Sequence, residues 1–406
     1  MVLRLSVATL VLITGCATAQ PPSLTYTLLV ENIEDPENLV TGSGGVLYGT
    51  TGPETHQAYS VAPPASPGAP WTYTVIHTFN GGADGNPNPG LVIGKGGVLY
   101  GTTYEGGCAG TGTPNPVCGI VYSLTPPASS GGTWTEDIIY KFGKNTSPTT
   151  GVVIGAGGVL YGSTVFGGAN GDGAIFSLTP PESPGTPWTY TLLYSFTGGS
   201  DGHGPVKFVM GKDGILFGTT SNGGTGHGTL FALKPPAAPG DTWTKEILCS
   251  FAGGSSGDDP SGVVIGKDGV LYGTMAEGGN SSCSSDFLSG CGTVFSVAPP
   301  DSPGSHWVFS TLYGFTGGDD GWNPSGVVIS VDGRLIGTSY LGGPATYNGA
   351  VFTLTPPESA GESWTETTLW GFPNSLDGTN PGYGVVFGTD GGLYGTVIGG
   401  VFSLTN

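Results

Sequence analysis

The chain has 406 residues, and 78 Gly and 33 Pro together make up more than a quarter of it. Such a composition is typical of low-complexity chains unless the glycines recur periodically, and here they alternate with apolar and aromatic runs. Ten Lys and Arg residues face 29 Asp and Glu residues, for a formal net charge of −19, which excludes nucleic acid as a partner.

The first 19 residues are predicted to be a secretory signal peptide. Arg4 precedes an apolar run of about ten residues, which is too short to span a bilayer. Two cleavage patterns compete there: a lipobox ending at Cys16, which would then be lipidated, and the small-residue site Ala17-Thr18-Ala19. Either pattern predicts export, as a secreted or a surface-anchored lipoprotein. The membrane is then contacted only through the lipid.

Seven internal repeats fill residues 24–406, which we predict to be one domain. A motif of the form Leu-aromatic-Gly-Thr recurs at intervals of about 50–65 residues. Its copies begin at Leu47, Leu99, Leu160 (ending in Ser163), Leu216, Leu271, Leu335 (with Ile336 in place of the aromatic) and Leu393. Each repeat contains four short runs rich in Val, Phe, Tyr or Thr and bounded by Gly, Pro, Asn or Asp, which is the pattern of four strands.

Four strands in each of seven repeats predict an all-β, seven-bladed β-propeller. A parallel β-helix is the alternative, but its coils are shorter. The tight turns, such as Lys212 to Gly214 and Lys267 to Gly269, favour antiparallel hairpins.

The strands of a repeat are named A to D in chain order. The apolar GVVIG-type run is A, innermost, and the run that opens with Trp is D, outermost. The mature chain begins with a D-like run at Leu24 and ends with a C-like run at Val401. We therefore expect the N-terminal strand to complete the last blade and close the ring.

The B–C and D–A loops emerge together on one side of such a ring, which we call the loop face. These loops vary most between repeats, and variable loops on a constant scaffold commonly carry binding sites. We expect a carbohydrate or protein partner there.

With these motifs in view, the chain resembles the GloVer tandem-repeat family of exported bacterial proteins. Gly269 to Gly279 with Gly292 to Val297, and Gly158 to Gly168 with Gly173 to Pro180, carry the family pattern. The resemblance implies an exported, often surface-anchored, propeller-like protein. It implies no activity and no catalytic residues.

Four cysteines lie in pairs in two B–C loops. Cys108 and Cys118 share one loop, and Cys283 and Cys291 share the equivalent loop three blades later. Two short-range disulfides are expected in an oxidising compartment. Zinc is the alternative, but each loop supplies only two sulfur ligands.

Acidic residues recur in the D–A loops and would surround one mouth of the channel by symmetry. They are Asp84, Asp201, Asp259, Asp320 and Asp377. Carboxylates in a ring could bind Ca²⁺, the one cofactor that the sequence suggests. Asp before Gly also forms turns by bonding its own backbone, and both interpretations stay open.

Aromatic residues gather in neighbouring loops of the same face. Trp322 is the Trp outside the D strands, and Tyr340, Tyr347, Phe287 and Tyr383 are expected near it. With Asp319 and Asp320, Trp322, Tyr340 and Tyr347 could form a sugar-binding surface. The alternative is that the rings cover the loop bases.

No nucleophile elbow, phosphate loop or zinc-protease motif is present, and Arg334 is the one Arg after the leader. The sequence therefore predicts no catalytic residue. It favours a binding or interaction module with carbohydrate as the leading ligand class. A polysaccharide hydrolase or lyase using Asp319 or Asp320, and a structural adhesion protein, are the alternatives.

Overall fold

The chain folds into a ring of seven four-stranded antiparallel sheets in a computed structural model. The structure describes residues 24–82, 84–108, 118–129, 131–148, 150–183, 185–238, 240–284, 289–302, 304–344, 348–359, 361–373 and 378–405. The predicted seven-bladed β-propeller is thereby confirmed. The predicted leader, with Cys16, lies outside the described residues and stays a prediction.

Each blade consists of four strands that are adjacent in the sheet in the predicted order A, B, C, D. The first blade contains β2 (Pro36–Thr41), β3 (Leu47–Thr51), β4 (Gln57–Ala62) and β5 (Thr72–Thr78), and the second contains β6 (Val92–Ile93), β7 (Leu99–Thr103), β8 (Ile120–Thr125) and β9 (Thr135–Lys141). The third blade contains β10 (Val153–Ile154), β11 (Leu160–Thr164), β12 (Ala174–Thr179) and β13 (Thr189–Ser195), and the fourth contains β14 (His203–Met210), β15 (Leu216–Asn222), β16 (Thr229–Lys234) and β17 (Thr244–Ser250).

The remaining three blades continue the same order and close the ring. The fifth blade contains β18 (Asp258–Ile265), β19 (Leu271–Glu277), β20 (Thr293–Ala298) and β21 (Val308–Gly314). The sixth contains β22 (Trp322–Ile329), β23 (Leu335–Leu341), β24 (Ala350–Thr355) and β25 (Thr365–Gly371). The seventh contains β26 (Val385–Phe387), β27 (Leu393–Val397), β28 (Gly399–Thr405) and β1 (Thr25–Ile33). The N-terminal strand β1 pairs antiparallel with β28, as predicted, and supplies the outer strand of the seventh blade.

Short 3₁₀ turns are the helical elements of the described residues. Five of them connect strands A and B: Ser43–Gly45, Lys95–Gly97, Ala156–Gly158, Lys212–Gly214 and Lys267–Gly269. Two others, Gly199–Asp201 and Gly254–Ser256, lie in D–A loops. In the described part of the chain, no helix is long and apolar enough to cross a membrane.

Every blade core is built on a glycine of strand B that lies directly opposite an aromatic residue of strand C. The pairs are Gly49 with Tyr59, Gly101 with Tyr122, Gly162 with Phe176, Gly218 with Phe231, Gly273 with Phe295, Gly337 with Phe352, and Gly395 with Phe402. Each of these rings is fully buried. The ring occupies the space that a side chain on strand B would need, since a Cβ on Gly273 would lie 2.6 Å from Cζ of Phe295.

At six of the seven junctions, neighbouring blades are joined by the Trp that precedes strand D. Its indole packs against the strand B aromatic of the preceding blade, as Trp134 does against Tyr48 with ring centroids 5.9 Å apart. The same pairing recurs at four further junctions with centroid distances of 6.0 to 6.1 Å, and between Trp71 and Tyr394 at 5.7 Å. The indoles therefore hold the blades at a constant spacing.

Both predicted disulfides are present in the B–C loops of the second and fifth blades. The Cα atoms of Cys108 and Cys118 are 5.5 Å apart, and those of Cys283 and Cys291 are 5.0 Å apart. Cys249 is free and half-buried in β17. Two disulfides indicate an oxidising, extracytoplasmic compartment.

The Gly273→Ala substitution tests the packing of glycine against the aromatic ring. We expect it to lower the free energy of unfolding by about 1–3 kcal/mol, because the new methyl group overlaps Phe295 and the carbonyl oxygen of Gly262. Gly314→Ala in the same blade is the matched control, since a Cβ there meets no atom within 4 Å. Denaturant unfolding of both variants measures the difference; equal stability would contradict the steric role of the glycine.

Candidate functional site

A proline lies at or just before the loop-face end of strand A in four blades, and the residue before it is held in an unusual backbone conformation. Asp35, Asp259, Asn323 and Asn380 precede Pro36, Pro260, Pro324 and Pro381 and have φ values of 46°, 56°, 56° and 56°. Asn and Asp adopt this left-handed conformation more readily than other side-chain-bearing residues. The local chemistry of the turn thus places amides and carboxylates at equivalent positions around the mouth of the ring.

Three of these residues line one cavity of about 430 Å³, at the loop face of the sixth, seventh and first blades. They are Asp35, Asn323 and Asn380, and the aromatic residues Tyr340 and Tyr383 line the same cavity. The amide nitrogen of Asn323 donates to the carbonyl of Ala276 at 3.2 Å, and that of Asn380 donates to the carbonyl of Tyr340 at 3.0 Å. These bonds fix the orientation of both amides before any ligand arrives.

A buried carboxyl lies behind the cavity wall. Glu37 is 6% exposed, accepts a hydrogen bond from Thr50 Oγ1 at 2.7 Å, and also accepts one from the hydroxyl of Tyr383. The pKa of Glu37 is raised from its ordinary 4.5 to about 7: burial raises it most, the charge of Asp35 also raises it, and the two hydrogen bonds offset part of this increase. Burial beside these two acids also raises the pKa of Tyr383 well above its ordinary range.

Glu37 occupies a position that other blades fill with small neutral residues. Ser261 and Ser325 also follow the strand A proline, and each bonds the Thr of strand B at the place corresponding to Thr50. Among the residues that follow these prolines, Glu37 stands out in the sequence as an acid, but the Leu-aromatic-Gly-Thr motif lies in strand B and does not include this position. Asp35, Asn323 and Asn380 were missed for the same reason.

Of the residues predicted to bind a ligand, Tyr340 lines this cavity. Trp322 is half-buried in β22 and packs on the core of the sixth blade, and it does not line the cavity. Asp319 is exposed, whereas Asp320 is 7% exposed. Tyr347 and Phe287 lie outside the described residues. A sugar-binding role for Trp322, Asp319, Asp320 and Tyr347 stays a prediction.

The predicted metal-binding acids fall into two structural positions. Asp84, Asp201 and Asp320 each accept a hydrogen bond from a backbone N–H four residues earlier, at 2.9, 2.8 and 2.7 Å. Asp259 instead has the left-handed conformation before Pro260, where burial raises the pKa of its carboxyl. Asp377 lies outside the described residues. The acids therefore do not share one equivalent position in the blades.

Two histidines of the loop face each bond one carboxylate. His203 Nδ1 lies 3.0 Å from Asp172 Oδ1, and His227 Nδ1 lies 2.6 Å from Asp258 Oδ2. A group of three ligand side chains exists at another place, where His77, Asp84 and Glu136 have one ligand atom each within 4.8 Å of the others. In the described residues this is the one group of that size.

A second cavity of about 560 Å³ opens on the same face in the third blade. Lys144, Asn145, Thr146 and Phe166 line it together with three glycines. It contains one aromatic ring and no carboxylate. The first cavity is therefore the richer in groups that could orient a polar ligand.

Residues 115–303 match the Gloeobacter/Verrucomicrobia repeat family. The family resemblance read from the sequence is confirmed over this segment, which extends from the second to the fifth blade. No curated protein matches the chain in sequence.

Solved structures with the same architecture have varied functions. A streptogramin B lyase is 14% identical, with 94% of this chain and 97% of the lyase covered and a TM-score of 0.58. PorZ, a surface component of the type-IX secretion system of Porphyromonas gingivalis, is 14% identical over 92% of this chain, with a TM-score of 0.56. This chain covers 47% of PorZ, about half of its length. At such identities the likeness shows the propeller fold alone.

The raised pKa of Glu37 predicts a pH-dependent stability. The folded protein binds this proton more tightly than the unfolded chain, so the stabilisation is complete below pH 4.5 and is lost as the pH rises toward 7. In the wild type, ionisation of Glu37 should lower the unfolding free energy by about 2–3 kcal/mol over this pH range, and in Glu37→Gln this decrease should be absent. Denaturant unfolding at several pH values measures it.

Glu358→Gln, which changes an exposed carboxyl, is the control. An unaltered pH profile in Glu37→Gln would show that the carboxyl is not buried as described.

Proposed function

We propose that this protein is an exported binding propeller, secreted or lipid-anchored, whose cavity at the sixth, seventh and first blades holds a carbohydrate. The observation that carries the proposal is the combination of groups around that cavity. Tyr340 and Tyr383 supply aromatic rings, Asp35 a carboxylate, and Asn323 and Asn380 amides. Sugars present apolar C–H faces and a rim of hydroxyls, so a site with both rings and hydrogen-bonding groups complements them.

The charge of the protein agrees with an uncharged ligand. Asp35 lines the cavity and Glu37 lies behind it, and the formal net charge of the chain is −19. A neutral polysaccharide or oligosaccharide avoids the repulsion that an acidic ligand would meet there. A protein partner at the loop face is the other outcome that binding assays can reveal.

Substitution of Tyr383 by Ala tests the carbohydrate site. We expect binding in a panel of soluble glycans to weaken at least tenfold, about 1.4 kcal/mol, since the variant loses one ring and opens the cavity wall. Glycan arrays followed by isothermal titration calorimetry measure it. Far-UV circular dichroism verifies that the variant is folded.

Two further variants distinguish the candidate surfaces. Phe166→Ala removes a ring that is 40% exposed in the second cavity, and Trp322→Ala removes the indole that the sequence suggested. Both should bind normally if the first cavity is the site. Loss of binding in Phe166→Ala or in Trp322→Ala alone would move the site there, and wild-type protein that binds no glycan would refute the carbohydrate proposal.

A second candidate function, hydrolysis or elimination on a polysaccharide, is favoured by Glu37. A carboxyl with a pKa of about 7 is half-protonated at neutral pH, as a general acid requires. Glu37 does not line the cavity itself, so its proton would pass to Tyr383 Oη while the Tyr383 hydroxyl gives its own proton to the leaving oxygen. Asp35 supplies a second carboxylate in the wall. The acids that the sequence suggested, Asp319 and Asp320, do not line this cavity, and Asp320 accepts three hydrogen bonds from Thr316 and Tyr313.

If the protein is an enzyme of this kind, Glu37→Gln should abolish the release of oligosaccharides from its substrate. Activity of the wild type should fall above pH 7 as the acid ionises. Glu366→Gln is the matched control, because burial raises the pKa of Glu366 to about 7 as well, but outside the cavity. Asp320→Asn tests the sequence-based alternative. Turnover that survives Glu37→Gln would eliminate this mechanism.

A further inference from the structure

Three potential metal ligands meet where the first blade contacts the second, on the two outer D strands and the loop between the blades. His77 belongs to β5, Asp84 to the following D–A loop, and Glu136 to β9 of the next blade. His77 Nε2 lies 3.5 Å from Asp84 Oδ2 and 3.8 Å from Glu136 Oε2. Their side chains are 19%, 6% and 17% exposed.

These three groups are close, yet they do not satisfy one another. His77 Nε2 and Glu136 Oε1 are buried and make no hydrogen bond. Separations of 3.5 and 3.8 Å are longer than hydrogen bonds. They are near the ligand–ligand edges of about 3.3–3.6 Å that result from a tetrahedral ion with bonds of about 2.0–2.2 Å.

Asp84 is oriented by the loop in which it lies. Its Oδ1 accepts the backbone N–H of Asn80 at 2.9 Å, and its Oδ2, which faces His77, accepts a long hydrogen bond of 3.4 Å from the side-chain amide of Asn80. The ring of His77 is held edge-on against Phe79, with centroids 4.6 Å apart. In protein metal sites, contacts of this kind to the ligand residues fix the orientation of their side chains.

The junction of the third and fourth blades shows what this position accommodates. Tyr194, Asp201 and Lys245 occupy the places of His77, Asp84 and Glu136 in their repeats. Lys245 is 3% exposed, and its Nζ lies 2.8 Å from Asp201 Oδ1 and 4.6 Å from the ring centroid of Phe196. The same backbone site therefore holds a positive charge beside the aspartate.

The junction of the fifth and sixth blades shows another solution. There Tyr313 donates to Asp320 at 2.9 Å, and burial raises the pKa of Glu366 to about 7, which favours its uncharged form. At this junction the Tyr313 hydroxyl stabilises the Asp320 carboxylate by a hydrogen bond, and protonation of Glu366 removes the second negative charge. The first junction has the same two acids, but an imidazole replaces the tyrosine.

We propose that His77, Asp84 and Glu136 bind one divalent cation of the zinc type at the junction of the first and second blades. The imidazole determines the class of ion. Ca²⁺ takes oxygen ligands, whereas Zn²⁺ and related first-row ions bind one imidazole and two carboxylates well. Three protein ligands leave a fourth position for water. The cation compensates the negative charge of Asp84 at this junction, as the ammonium of Lys245 compensates that of Asp201 two blades further on.

The test uses the full-length protein without a polyhistidine tag, freed of metal with a chelator. Isothermal titration with Zn²⁺ should show one tight site, and the melting temperature should rise with Zn²⁺. A Ca²⁺ titration under the same conditions should be at least tenfold weaker. Visible absorption of the Co²⁺-loaded protein should show a tetrahedral nitrogen and oxygen ligand field.

Two variants import residues that the equivalent junction already tolerates. Glu136→Lys places an ammonium where Lys245 has one, and His77→Tyr places a hydroxyl where Tyr194 has one. Each should weaken Zn²⁺ binding at least tenfold. Glu136→Lys should also melt at or above the temperature of the metal-free wild type, because its ammonium replaces the ion beside Asp84.

His203→Ala is the control for nonspecific histidine binding, since His203 faces one carboxylate only. It should bind Zn²⁺ as the wild type does. Absence of Zn²⁺ binding in the wild type, unchanged affinity in both junction variants, or preference for Ca²⁺ would each overturn the proposal. If one junction variant fails to fold, the other still decides, and neither outcome depends on the carbohydrate cavity.

Discussion

The contact on which this molecule depends is the one between the strand B glycine and the strand C aromatic ring. In all seven blades the two residues are direct cross-strand partners, and the ring is fully buried. A blade made of short strands has little apolar surface, and a ring that covers a glycine fills its core at native density. Because the same pair recurs in every repeat, all blades have the same thickness, and the indoles before strand D can join them at one spacing.

A scaffold fixed in this way leaves the outer junctions between blades free to vary in charge. The aspartate of the D–A loop is bonded by its own backbone in three blades. Its negative charge is met by Lys245 at one junction and by the hydroxyl of Tyr313 at another. A buried carboxylate is costly when nothing compensates it. At these two junctions a backbone N–H and either an ammonium or a hydroxyl compensate the aspartate, and the neighbouring side chains decide which group does so.

The fold could be predicted because its causes are local and repeated. Glycine turns, alternating apolar residues and the Leu-aromatic-Gly-Thr motif each occupy a few consecutive residues, and the terminal runs at Leu24 and Val401 predicted the closure. The site could not be predicted to the same extent. Asp84 and Asp259 both lie in acidic, glycine-containing segments between strands D and A, but only the structure shows that Asp84 bonds its own loop whereas Asp259 has a left-handed conformation before Pro260. His77 and Glu136 are paired across two repeats, at a distance in sequence that no short motif reports.

The position of the cavity follows from the closure of the ring. The first and last repeats depart from the repeat pattern, since Gly52 to His56 and Val397 to Gly400 lack its full Gly-Gly loop. Ring closure makes these repeats neighbours, and β2 packs against β26 and β27. Asp35 and Glu37 come from the first repeat, and Asn380 and Tyr383 come from the last repeat. Ser261 and Ser325, at the places equivalent to Glu37, bond the strand B threonine as Glu37 does, but they carry no ionisable group. Residues that lie far apart in the sequence thus meet in space, and the repeat protein acquires an asymmetric cavity beside the junction of its first and last repeats.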